Sequence, residues 1–109
     1  MASELLKVEL KPACSNSETN LIDGASGHTY TILSIMICET GDAAETFKLY
    51  IDDNEGGTDH YFYFDQALSA KSTFEHTAKF VLEGTDMLGF ITANSANVDV
   101  VVSYLDQTL

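Results

Sequence analysis

The sequence has no tryptophan and no arginine, one proline, two cysteines, and five basic residues against 17 acidic ones. Each scarcity removes a class of function. Nucleic-acid backbones are held by Lys and Arg that displace condensed counterions, with Arg supplying the bidentate contacts. The basic set here is Lys7, Lys11, Lys48, Lys71 and Lys79, spaced singly along a 109-residue chain of formal net charge -12. Neither nucleic acid nor an anionic membrane surface is an expected partner. Cys14 and Cys38 form no CxxC pair and no disulfide framework, so both are read as reduced thiols, with Cys38 in the core. Without tryptophan to pack on a cysteine pair, the immunoglobulin variant of a sandwich is disfavoured. No apolar run is long enough to span a bilayer, and Met1 to Lys11 lack the basic and apolar regions of a secretory signal.

What remains is a chain with 45% hydrophobic and 20% charged residues, enough apolar surface for one ordered core. Its patterning has mostly period two. Leu6, Val8 and Leu10 alternate with Leu5, Lys7 and Glu9 in a first strand or extended arm ended by Pro12, and Ser15 to Asn20 read as loop. In His28 to Cys38, Leu33, Ile35 and Ile37 take one face and Tyr30, Ile32 and Met36 the other. A strand apolar on both sides is central in its sheet or buries its second face on another subunit. Phe47, Leu49 and Ile51 mark a half-buried strand, and a hairpin through Asp52 to Asp59 leads to His60 to Phe64. Gln66 to Gly84 permits a short helix, but Phe74, His76, Ala78, Phe80 and Leu82 alternate, which favours a strand ending at Gly84-Thr85-Asp86. Met87 to Thr92 and Val98 to Leu105 complete seven or eight strands. The expected fold is an all-β antiparallel sandwich, jelly-roll-like, with residues 1–17 as N-terminal arm or edge strand and 18–109 as a single domain.

No constellation carries catalytic chemistry, and no catalytic, cofactor-binding or metal-binding residue is assigned. Asp52, Asp53, Asn54, Glu55 and Asp59 surround Gly56 and Gly57 with hard oxygen ligands of the kind calcium takes. Counted from Asp52, however, the closing position of an EF-hand loop holds Tyr63, which favours a solvated hairpin. His28, His60 and His76 fall in no HxxxH or HExxH spacing; His76 is expected in the core and His60 at the hairpin edge. There is no GxSxG elbow, no phosphate-cradling glycine loop, and no His beside either cysteine. The aromatic run Tyr61 to Phe64 is the most prominent surface candidate, with Tyr61 and Tyr63 expected outward as a protein- or sugar-contacting pair.

The order TYTILSIMICETGDAAETFKLYI, a polar hairpin, then KFVLEGTDMLGFITANSANVDVVVSYLD resembles small β-sandwich virion proteins of tailed bacteriophages. The matching pieces are Ser34-Ile35 with Cys38-Glu39-Thr40, the turn Gly41 to Ala44, and Ala93 to Tyr104; Gly84-Thr85-Asp86 stands where the family has a Gly-Asp turn. The likeness runs from about Thr29 onward. It implies a non-enzymatic capsid decoration (cement) protein, with a head-to-tail or tail accessory protein as the alternative. It further implies a virion location after assembly in the host bacterial cytoplasm, contact with the major capsid or other virion proteins, and self-association, for instance as a trimer. A small calcium- or carbohydrate-binding sandwich using Tyr61, Tyr63 and the 52–59 loop is the alternative of another class.

Overall fold

The computed structural model describes residues 3–54 and 56–108, and among them it contains nine strands and no helix. They are β1 (Ser3–Cys14), β2 (Thr19–Asp23), β3 (His28–Glu39), β4 (Glu45–Asp52), β5 (Asp59–Leu68), β6 (Thr73–His76), β7 (Phe80–Glu83), β8 (Met87–Thr92) and β9 (Val98–Thr108). The first sheet has the order β1-β9-β3, with β6 and β7 end to end along the far edge of β3. The second has the order β2-β8-β4-β5. All pairings are antiparallel, and the two sheets pack face to face as an open sandwich, not a closed barrel.

Alternation places the core. In β9, Val98, Val100, Val102 and Tyr104 point inward, and their neighbours Asp99, Val101, Ser103 and Leu105 point out. Phe47 on β4 sits at the centre, fully buried, 5.5 Å from Phe90 and 5.4 Å from Phe74 between ring centroids. β3 departs from the two-faced pattern expected of it. Ile32 pairs with Tyr104 and Ser34 with Ser103, so Leu33 is an extra residue, a β-bulge. The bulge shifts the phase by one, and Tyr30, Ile32, Ile35 and Ile37 all enter the same core.

Four further expectations are corrected. Pro12 does not end the first strand: β1 continues to Cys14 through an irregularity between Lys11 and Cys14, with Ala13 at φ 54°. Proline is tolerated there because β1 is an edge strand at a bulge. The loop assigned to Ser15 to Asn20 ends early, since Thr19 and Asn20 already pair with β8 and bring Leu21 and Ile22 into the core. Residues 66–84 contain no helix and two strands instead of one, interrupted level with the β3 bulge, where His76 Nε2 donates to the Ala78 carbonyl at 2.7 Å. Of the cysteines, Cys14 is the buried one and Cys38 is half-exposed on the outer surface of β3. Met1, Ala2, Glu55 and Leu109 lie outside the described residues.

Removing the central ring tests this packing. Phe47→Ala is expected to lower unfolding free energy by about 3–5 kcal/mol in urea titration, whereas Lys79→Ala, exposed between β6 and β7, stays within about 0.5 kcal/mol.

Candidate functional site

Residues directly opposite one another across an antiparallel pair share a face, so the register fixes the outer surface of the first sheet. Leu6 pairs with Leu105, Val8 with Ser103 and Leu10 with Val101; Ser34 and Met36 of β3 extend the same rows across β9, and Thr31 brings in Val81 of β7. This face carries exposed aliphatic side chains in a continuous patch: Leu6 is 77% exposed, Leu10 65%, Val8 52% and Met36 42%. No charged residue lies within it. The charges at outward positions, Glu4, Glu75, Glu83 and Asp99, stand on its margins. Leu6, Lys7, Val8, Leu33 and Tyr104 line a hollow of about 400 Å³ beside Ser103.

The opposite surface, outside the second sheet, also exposes large side chains, Phe64 at 61% and Tyr61 at 46%, but these are aromatic rings packed on one another. Gly89 lets the Tyr50 ring lie flat over β8, because a Cβ there would come within 2.5 Å of the ring. The Tyr50 hydroxyl donates to Glu18, and burial together with that carboxylate pushes the phenol well above its ordinary value. Tyr61 packs on Tyr50 at 5.3 Å and edge-on to Phe64 at 5.0 Å, and Lys48 sits 4.6 Å from the Phe64 centroid while its Nζ donates to Asp65 at 2.7 Å. The expected outward pair Tyr61 and Tyr63 is therefore corrected. Register shifts in β5 break the alternation: Tyr61 and Phe64 face out, and Tyr63 turns in beside Leu49. Its hydroxyl donates to Nδ1 of His76 at 2.8 Å, and Phe62 closes the flank against Phe80 at 4.4 Å.

The acidic hairpin binds its own backbone. Asp52 Oδ1 accepts from Gly56 N at 3.1 Å and Asp53 Oδ1 from Thr58 N at 3.0 Å, and His60 Nε2 donates to Asp53 Oδ2 at 2.9 Å. The His60 and Thr58 contacts hold the Asp53 carboxyl below the usual range. Among the described residues no group of three or more His, Cys, Asp or Glu side chains converges on a metal position, and the three histidines lie apart; Glu55 is outside the described set. His76 is buried, as read, and His60 is on the hairpin strand.

Two buried carboxylates had no signal in the sequence. Asp106 lies in a cleft of about 440 Å³ between β1 and β2, where Lys7 Nζ and His28 Nδ1 each donate to it at 2.8 Å. The Lys7 contact, against some desolvation, holds the Asp106 carboxyl low and raises Lys7. Glu39 accepts from Gly41 N at 2.8 Å, Lys71 N at 3.1 Å and Ala43 N at 3.2 Å. Burial opposes that carboxylate, but these backbone donors outweigh it and keep its carboxyl below the ordinary value. Both groups tie loops and the edge strand β1 to the sandwich, and neither faces a substrate-sized apolar pocket.

No protein-family model matches the chain, and no curated protein sequence matches it significantly. Solved structures do share its fold. A chain of the acid-stable capsid of Helicobacter pylori bacteriophage KHP30 superposes with TM-score 0.58 at 15% identity, covering 100% of this chain and 94% of that one. A chain from the disulfide-linked pili of Bacillus endospore appendages gives TM-score 0.57 at 11% identity, over 99% and 88%. A chain of the T13 infectious bursal disease virus particle gives 0.61 at 8% identity, but this chain spans only 31% of its length. At these identities the likeness is one of fold.

Acid titration checks the Asp106 assignment. Because its carboxyl is lowered in the folded state, its contribution is complete above the unfolded value of about 3.9 and fades as pH falls through the folded one. The melting temperature of Asp106→Asn should fall below that of the parent at pH 7, with the gap closing as pH falls below the unfolded value; a gap of constant size from neutral to acid pH contradicts the assignment.

Proposed function

We propose that this chain is a structural protein of a bacteriophage virion, a capsid decoration protein that binds the outside of the major capsid shell and stabilises it. It acts by binding and not by catalysis. The observation that carries this reading is the uncharged aliphatic outer face of the first sheet, a large surface that the monomer leaves in water. A protein repeated on a shell needs a rigid module with a face for its neighbouring copies as well as a contact to the shell, and the outer face of this β-sandwich supplies the first without moving parts. The end-to-end fold likeness to the KHP30 capsid chain supports the virion setting. A net charge of -12 suits an exterior position, where it keeps neighbouring copies and particles apart.

A place in the neck or tail is the second reading, supported by the nearly as complete likeness to an appendage pilus chain, a protein of a filament and not a shell. Either place puts the chain in the virion, assembled in the host bacterial cytoplasm with other virion proteins as partners.

Counting copies separates the readings. Quantitative mass spectrometry of purified virions, referenced to the major capsid protein, is expected to give a number comparable to the capsid protein. A small ring-sized count moves the chain to the neck or tail, and its absence from virions overturns the proposal in favour of a ligand-binding sandwich.

A further inference from the structure

We infer that the outer face of the first sheet is the contact between two copies of this chain, packed face to face about a two-fold axis. The inference deepens the assembly reading above and rests on it, since it names the occupant of the face.

Charge selects the occupant. A second copy brings the same charge of -12, so the two repel wherever acidic surfaces approach. At a two-fold contact, residues near the axis meet their own symmetry mates, and any charge there meets itself. An isologous contact therefore needs an uncharged centre. The first sheet presents one: Leu6, Val8 and Leu10 on β1, Val101, Ser103 and Leu105 on β9, and Ser34 and Met36 on β3. A different, basic partner is better served by the acidic remainder of the surface than by a charge-free patch.

Size and shape agree. β1 has 12 residues and the sheet is four strands wide, which gives roughly 40 Å by 19 Å, a footprint of about 750 Å². A standard stable interface needs about 800 Å² on each partner. An aliphatic centre with charges held at the margin is also the usual anatomy of such contacts. The face has relief as well: Leu6 and Leu10 protrude, and the hollow beside Ser103 is large enough for an aliphatic side chain of the other copy.

The free edges are poor alternatives. Lys7, Glu9 and Lys11 are on the inward side of β1, where their partners are Tyr104, Val102 and Val100, and Pro12 removes an edge donor. β5 is broken by register shifts, with Asp65 at φ 57°. Edge-to-edge strand addition is hindered on both, and contact through the face remains.

Sedimentation velocity of the purified chain across the micromolar range is the test. The parent is expected to run as two chains, and Val8→Glu and Met36→Glu to raise the dissociation constant about 100-fold or more while keeping a cooperative melt. Phe64→Glu, on the opposite surface, should leave the pair intact. A parent that stays monomeric or forms trimers overturns the inference, as does a pair that survives both glutamate variants or dissolves on Phe64→Glu. A monomer found at capsid-like copy number in virions overturns this inference alone; a pair absent from virions overturns the virion reading alone.

Discussion

At Leu33, β3 carries one residue more than β9 beside it, and that mismatch decides which side chains meet in the core. A regular strand over 28–39 would send Tyr30 and Ile32 to one face and Ile35 and Ile37 to the other, because side chains alternate. The extra residue realigns the two halves, so all four are buried. Other features follow at the same level of the sheet. β6 and β7 pair with the two halves of β3 separately, and the gap between them is closed by His76, which is held in turn by Tyr63 from the second sheet.

Once the core has taken those residues, what is left outside becomes informative. Outside the second sheet, aromatic rings stack on one another and on a lysine, and Tyr50 covers the glycine strand beneath it. Outside the first sheet, none of the described residues covers Leu6, Val8, Leu10 and Met36. Both faces leave large hydrophobic side chains exposed, but they differ in kind: outside the second sheet these are aromatic rings packed on one another, and outside the first they form an aliphatic surface with acids at its margins. Burial of that surface is favourable by about 25 cal/mol for each Å² removed from water, which is the driving force that assembly draws on.

Much of the architecture was legible in the sequence, for identifiable reasons. β9 alternates cleanly because it is buried on one face, and the pattern follows from that burial. The two-sided apolar character of β3 held both the bulge and the spare outer face, but composition alone does not separate them, since inserting one residue changes register without changing content. β2 was missed because five residues, TNLID, contribute only two core side chains after a polar run. The outward aromatics were assigned by strict alternation, and bulges in β5 exchanged Tyr63 for Phe64. Asp106 carried no signal because its role comes from Lys7, 99 residues away in sequence, and Glu39 joins its own turn at Gly41 and Ala43 to Lys71, 32 residues away.

Oxidative footprinting of Met36 tests the central claim most directly, because this thioether lies on the aliphatic face beside Val101, with Glu75 opposite it at the margin, and sulfur reports its own exposure. With Tyr61 and Phe64 on the opposite surface as internal references, Met36 oxidation is compared between dilute and assembled protein. The account predicts strong protection of Met36 on assembly with the two aromatics unchanged. Equal oxidation of Met36 in both states, or protection of Tyr61 and Phe64 instead, contradicts it.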